Sequence, residues 1–224
     1  MIVLGIDTAT VATVVGLRGI DGVVLQARDD PRPGERPGHS TRLLGLAAEL
    51  LDRAGLRWND LQRIAVGVGP GTFTGLRVGL ASAHGLALSS SAELVGVSSL
   101  RALSLNAREQ PRVLAAVDAR RGELFVAGYQ QGMESIAPRA VAPDALGELL
   151  AGADWLALGD GARLYRDELE DAGASVPRDS SELHLIGGSS LCELGLGAEI
   201  ADEPLVPDYL RHPDATLALQ GAGR

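Results

Sequence analysis

Short apolar runs separated by polar turns dominate the sequence, and their spacing predicts a mixed α/β protein. Runs rich in β-branched residues predict buried strands at residues 2–6, 12–17, 23–27, 64–68 and 94–97. Apolar residues that recur every three or four positions predict helices at 40–54, at 75–88 and from 98 or 99 to 107. Ser40 and Gly55 are the residue types that cap a helix at its start and at its end.

The same order of elements recurs in the second half. Strands are predicted at 113–117, 124–129, 136–141 and 155–158, and helices at 144–150 and 161–172. Both halves read as strand–strand–strand–helix–strand–helix, and each has an aspartate, Asp7 or Asp118, at the end of its first strand. Such a repeat predicts two tandem α/β domains, 1–108 and 109–224, the second smaller and truncated. The order is typical of ribonuclease-H-like, actin-like ATPase domains.

The most distinctive segment is the glycine-rich stretch 67–77, which follows a predicted strand and opens a helix. Unpaired backbone N–H groups and the helix dipole can hold an anion at such a position. A phosphate loop of the Walker type is excluded, because all 20 basic residues are arginine and the required lysine is missing. The residues alone favour a tight turn in which glycines supply positive φ and Phe73 anchors the loop.

The helix that follows this loop has one face built of small residues. Gly75, Gly79 and Ala83 fall at positions i, i+4 and i+8. A face without bulky side chains lets another helix approach at or below the usual separation of roughly 8–10 Å between axes. That neighbour could be the helix at 40–54 of the same chain, or the two helices together could present a surface to a second protein. The residues alone favour packing within the chain.

Asp7, Thr8 and Thr10 resemble the first phosphate loop of actin-like ATPases. That loop normally has glycine after its aspartate, and the side chains present here would obstruct the approach of phosphates. Asp7 could still ligate Mg²⁺, but a partly buried aspartate that caps the turn explains it more simply. In the second half, Asp160 lies where actin-like folds contact adenosine, and a plain helix N-cap explains it equally well.

Composition restricts the function further. The chain of 224 residues has a formal charge of −9, which disfavours nucleic-acid binding by the chain alone. The absence of lysine excludes Schiff-base and pyridoxal chemistry. His39, His84, His184 and His212 show no metal-ligand spacing, so no metal or cofactor is expected. The single Cys192 should pack as a small apolar residue, and it excludes an internal disulfide, which predicts a reducing, cytoplasmic location.

Several of these segments together resemble the bacterial TsaB (YeaZ-type) family. They are IDTAT at 6–10, HS at 39–40, GPGTFTGLR at 69–77, GVSSL at 96–100, DARRGE at 118–123 and YLR at 209–211. The glycine-rich segment is the most specific of them. The similarity is dense over residues 1–130 and sparser beyond, and residues 137–153 match poorly.

The resemblance implies both a fold and a role. Proteins of this family look like inactive relatives within the actin-like ATPase superfamily. They pair with the related TsaD, which transfers a threonylcarbamoyl group to the adenosine beside the tRNA anticodon, and the ATPase TsaE joins the complex. For this chain the resemblance implies an accessory subunit that binds and activates TsaD directly. It would meet tRNA only through the complex and would need no cofactor.

The resemblance also implies that the partner-facing surface lies on the two N-terminal helices, which reverses the preference for packing within the chain. The expected contact residues are His39, Ser40, Leu43, Ala47, Leu50, Gly75, Arg77, Gly79, Ala83 and Leu86. The same helices could join two copies of the chain in isolation, because a bare apolar helix pair invites self-association. The residues that would survive as a vestigial nucleotide loop are Asp7, Thr8, Thr10 and Asp118.

Two alternatives come from a different class of function. The first is an actin-like nucleotide-dependent kinase or ATPase that uses Asp7 and Asp118. The second is a metallopeptidase, which the histidine spacing disfavours, because the His-x-x-x-His pair of TsaD-type proteins has no counterpart here.

Overall fold

The computed structural model describes residues 1–32, 34–150, 154–200 and 204–210. The first half forms a five-stranded sheet from β1 (Val3–Asp7), β2 (Thr13–Arg18), β3 (Val24–Asp29), β4 (Arg63–Gly69) and β5 (Glu93–Ser98). Their order across the sheet is β3-β2-β1-β4-β5. The first three strands form an antiparallel meander, and β4 and β5 run parallel to β1.

The second half forms a sheet of the same design. Its strands are β6 (Arg112–Arg120), β7 (Glu123–Gln130), β8 (Met133–Val141), β9 (Trp155–Leu158) and β10 (Ala174–Ser175), in the order β10-β9-β6-β7-β8. Again the first three strands are antiparallel, and β9 and β10 run parallel to β6. The predicted internal repeat is therefore confirmed strand by strand. The last two strands of the second copy are short, with four and two residues.

In the described part of the chain, seven α-helices accompany the sheets. They are α1 (His39–Ala54), α2 (Phe73–Ser90), α3 (Ser99–Ser104), α4 (Leu146–Leu150), α5 (Asp160–Leu164), α6 (Arg166–Asp171) and α7 (Gly188–Gly197). Ser98 caps α3 by accepting a hydrogen bond from the Arg101 N–H. Gly55 ends α1 in the left-handed conformation, with φ of 65°, as its residue type predicts.

Three predicted helix boundaries are wrong. α1 begins at His39 with Gly38 in the N-cap position, so Ser40 lies inside the first turn and caps nothing. Asp144 lies within a 3₁₀ turn rather than at the start of α4. The predicted helix 161–172 is broken at Tyr165, whose φ of −114° and ψ of 40° lie outside the helical region.

The first sheet is covered on both faces. Successive residues of a strand point to opposite faces. On β1, Leu4 packs in one cluster with Leu50 of α1, whereas Val3 packs in another with Cys192 of α7. The Cys192 thiol is buried and donates to the Val3 carbonyl at 3.6 Å, and burial raises the pKa of this thiol to about 12. Its predicted role as a small apolar residue is confirmed.

Helix α7 belongs to the second half in sequence but packs against the first sheet. Gly188 touches the backbone of Gly16, and a Cβ atom on either glycine would overlap the other residue. The domain boundaries 1–108 and 109–224 stay a prediction, and this contact shows that the two halves share a core. Among the described residues no helix is both long and apolar enough to cross a membrane.

Candidate functional site

The turn after β1, at the position of an actin-like phosphate loop, is closed upon itself. Asp7 is fully buried, and its Oδ1 accepts a hydrogen bond from the Ala9 N–H at 2.8 Å. Its Oδ2 accepts one from the Ser99 hydroxyl at 2.5 Å. Burial, with a smaller contribution from the negative charge of Asp160, raises the pKa of Asp7 to about 6. Both carboxylate oxygens are therefore already used within the chain.

The glycine-rich segment packs directly on this turn. The Thr72 N–H donates to the Ala9 carbonyl at 2.7 Å, and the Thr8 hydroxyl donates to the Gly75 carbonyl at 2.7 Å. A Cβ atom at Gly71 would overlap Ala9, because the two backbones touch there. The segment therefore serves as a tight packing turn, as the residues alone favoured.

The small-residue face of α2 has the same neighbour. Gly75 and Gly79 are buried against the carbonyl and the hydroxyl of Thr8, and a Cβ at either position would overlap that residue. Ala83 is fully buried in the cluster that α1 and α2 form with the sheet. The row thus allows close approach: Gly75 and Gly79 pack on a turn of the same chain, and Ala83 packs in the cluster that includes α1.

In the second half, the Asp160 side chain holds the loop that contains Asp118. Asp160 Oδ1 accepts hydrogen bonds from the backbone N–H groups of Asp118 and Gly161 at 3.1 and 2.9 Å. Asp160 is the first residue of α5 and Gly159 is its N-cap, so the predicted cap at Asp160 is corrected by one residue. The Asp118 carboxylate pairs with the Arg120 guanidinium at 2.9 Å. Burial raises the pKa of Asp160.

A cavity of about 70 Å³ lies between the halves at these loops, and Thr10, Gly159 and Asp160 are among its lining residues. Small-molecule pockets in proteins usually hold roughly 300–1,000 Å³. This cavity is therefore smaller than a usual small-molecule pocket. His184 lines this cavity, and two hydrogen bonds fix its ring. Its Nδ1 accepts from the Gly159 N–H at 3.1 Å, and its Nε2 bonds to the Pro177 carbonyl at 3.1 Å.

The structure separates the ten expected contact residues into two groups. The buried group is His39, Leu43, Ala47, Leu50, Gly75, Gly79 and Ala83. The remaining three are Ser40 and Arg77, which are exposed, and Leu86, which is half-buried. His39 illustrates the first group, because its Nδ1 shares a hydrogen bond with the Thr13 hydroxyl at 2.9 Å beneath the helix. The buried residues position the two helices but do not present a surface.

A different set of apolar and small residues points outward from the same two helices. These residues are Leu44, Gly45 and Ala48 of α1 and Ala81, Gly85 and Leu88 of α2, and together they form the outer α1–α2 face. Leu44 is 49% exposed and Leu88 is 87% exposed. A Cβ atom at Gly45 or Gly85 would meet nothing within 4 Å.

The sequence analysis missed this face, although a signal for it was present. Helix α2 has small and apolar residues on its outward side as well as on its buried side, and the outward positions Ala81, Gly85 and Leu88 repeat at i, i+4 and i+7. Apolar residues on the outward side of a helix are typical of a helix that a further element covers. Of the closing motif at 209–211, Tyr209 and Leu210 are described and Arg211 lies outside the described residues.

Comparison with known proteins gives four consistent matches. A family model for TsaD, tRNA N6-adenosine threonylcarbamoyltransferase, matches residues 35–217. The tRNA threonylcarbamoyladenosine biosynthesis protein TsaB of Escherichia coli (strain K12) is 34% identical over 99% of both chains. TsaB of Bacillus subtilis (strain 168) is 32% identical over 96% of both. The solved structure of YeaZ from Pseudomonas aeruginosa superimposes with a TM-score of 0.76 and 29% identity, over 93% of this chain and 99% of that one.

The repeated topology and the family model together define the class of the protein. It has the actin-like ATPase fold, with two tandem α/β domains of which the second is smaller. Within that class, the chain belongs to the TsaB (YeaZ) family.

Proposed function

We propose that this chain is an accessory subunit of tRNA threonylcarbamoyladenosine synthesis, which binds TsaD directly and holds it in its active state. The observation that carries the proposal is the outer α1–α2 face, where apolar and small side chains lie exposed on two rigid helices. Exposed apolar surface of this kind marks a protein–protein contact. The names of the E. coli and B. subtilis relatives supply the pathway.

The carboxylate of Asp7 supports a role without catalysis. A nucleotide-dependent enzyme of this fold needs a free carboxylate to hold Mg²⁺. Here both oxygens of Asp7 accept hydrogen bonds from the chain itself, and the cavity at Asp160 measures about 70 Å³. We therefore assign the transfer reaction to TsaD and a scaffolding role to this chain.

The proposed contact surface revises the residues expected from the sequence. Ser40 and Arg77 are exposed and would contact TsaD together with the outer α1–α2 face, and half-buried Leu86 would lie at its edge. The buried residues of the original set, such as Leu50 and Gly79, would act only by fixing the helices. A second copy of the chain could occupy the same surface when TsaD is absent.

The net charge of the chain indicates which subunit of the complex would hold the tRNA. With a formal charge of −9, the chain repels a polyanion at long range. The tRNA would therefore be held mainly by TsaD, and TsaE would join the complex that the two related proteins form. We also propose a cytoplasmic location, where the tRNA substrate is found.

Reconstitution tests the proposed function. TsaD, TsaE and a threonylcarbamoyl donor would be incubated with tRNA, with and without this chain, and the modified adenosine would be measured by mass spectrometry. We expect product only when TsaD and this chain are both present. Full activity of TsaD without the chain, or product from the chain without TsaD, would refute the accessory role.

A further inference from the structure

Phe73, Arg77 and Tyr209 form a cluster on the surface at the N-terminal end of α2. The two aromatic rings stack with centroids 5.4 Å apart and an angle of 27° between their planes. The guanidinium carbon of Arg77 lies 3.7 Å from the centre of the Phe73 ring, and its Nε donates to the Tyr209 hydroxyl at 3.0 Å. Phe73 is 42% exposed and Tyr209 is 37% exposed. We call these three residues the aromatic–arginine cluster.

The cluster joins helix α2 to the last described segment of the chain, 204–210. Tyr209 reaches α2 because the segment before it is fixed to the first sheet, where the Asp208 N–H donates to the Val68 carbonyl at 2.8 Å. Leu205 packs against this sheet beside Gly96. Phe73 lies at the surface, where it contacts Arg77 and Tyr209.

Arg77 is held in place by Phe73 and Tyr209. No carboxylate of the described residues lies within 4.0 Å of its guanidinium, and its Nε is already used by Tyr209. The two terminal nitrogens can still bind a carboxylate through two parallel hydrogen bonds. Because the ring and the hydroxyl already fix the side chain, little further conformational entropy is lost on binding.

We propose that the aromatic–arginine cluster is the anchor of the partner surface, and that Arg77 binds a carboxylate side chain of TsaD. This inference rests on the proposed function. Arg77 lies one turn before Ala81 on α2, so the cluster continues the outer α1–α2 face. Exposed tyrosine and arginine side chains next to an apolar face are the composition of interface hot spots. An RNA phosphate is the less suitable occupant, because RNA binding draws on a cluster of basic side chains, whereas this cluster holds a single arginine.

Binding measurements on three variants test the inference. Arg77→Gln removes the charge and keeps the side-chain length, Tyr209→Phe removes only the hydroxyl that orients Arg77, and Arg139→Gln changes an exposed arginine of the second half as a control. Calorimetry would give the Kd for TsaD at low and high salt. We expect Arg77→Gln to weaken binding by about 30-fold, as hot-spot residues typically do, and to reduce its salt dependence. Tyr209→Phe should weaken binding less, and Arg139→Gln should leave it unchanged.

The outcomes separate this inference from the proposed function. If wild-type chain binds TsaD and Arg77→Gln binds equally well, the anchor is wrong while the accessory role stands. If the wild-type chain does not bind TsaD, both the inference and the proposed function are contradicted. Thermal denaturation would confirm that all three variants are folded. A loss of tRNA binding by the isolated Arg77→Gln chain, with TsaD affinity unchanged, would show that the cluster holds a phosphate and would also overturn the inference.

Discussion

The same substitution should have opposite effects at two glycines of helix α2. In Gly79→Ala, the added Cβ overlaps the Thr8 hydroxyl, which donates to the Gly75 carbonyl. Thr8 must then move, and its buried hydrogen bond is lost. Overpacking costs about 1–3 kcal/mol, and an unsatisfied buried polar group costs about 1–3 kcal/mol. Alanine returns about 1 kcal/mol through its higher helix propensity. We expect a net loss of roughly 1–5 kcal/mol.

Gly85→Ala is the matched control, because its Cβ meets nothing within 4 Å. Only the helix-propensity gain applies there, so we expect this variant to be more stable than wild type by up to about 1 kcal/mol. Urea unfolding followed by circular dichroism gives the free energy of unfolding of both variants. These values can be compared with that of wild type if the m-value is unchanged. If Gly79→Ala is as stable as wild type, or both variants shift in the same direction, α2 does not pack on Thr8 as described.

Three further results are expected from the buried groups. Because the folded-state pKa of Asp7 is raised from 3.8 to about 6, the stability gained from its protonated form is complete below pH 4 and is lost as pH rises through 6. The Asp7→Asn variant stays neutral at every pH. Urea unfolding should therefore show it to be more stable than wild type at pH 8, by up to about 3 kcal/mol, and equally stable near pH 4. Equal stability at both pH values would contradict the burial of a charged Asp7. The Cys192 thiol, buried and with its pKa raised to about 12, should react with a thiol reagent only after unfolding, and labelling of the native chain at the rate of a free cysteine would contradict this packing. Calorimetry with ATP and Mg²⁺ should detect no tight binding to the isolated chain, whereas tight binding that is lost in Asp7→Ala would favour the kinase or ATPase alternative.

The sequence predicted the repeated strands well because the local pattern of residues indicates each of them. A run such as 113–117 is apolar and β-branched, and its neighbours are turns, so its position needs no knowledge of the rest of the fold. Helix ends were less accurate. Ser40 has the right chemistry for a cap, but the helix begins one residue before it, and the break at Tyr165 follows from packing that no local pattern records.

The contacts of the candidate site join residues that are far apart in the sequence, and local patterns did not predict them. The spacing of Gly75 and Gly79 predicted a close approach correctly, but not that Thr8, 67 residues before Gly75, is the neighbour. Likewise, the contact between Arg77 and Tyr209 joins positions 132 residues apart. A resemblance to a family can indicate which helices matter, whereas only the fold shows which face of each helix is covered. Most of the contact residues expected from the sequence are buried, so the proposed contact surface consists largely of other residues.

The most direct test of the proposed function is the affinity of this chain for TsaD when the outer α1–α2 face is blocked. Gly85→Leu adds a bulky side chain at an exposed position where the chain itself leaves space, and Gly147→Leu does the same on α4, far along the sequence in the second half. Both variants should remain folded. We predict that Gly85→Leu loses binding to TsaD, as measured by co-purification and calorimetry, and that Gly147→Leu binds like wild type. Undiminished binding of a folded Gly85→Leu would contradict the claim that this face receives TsaD.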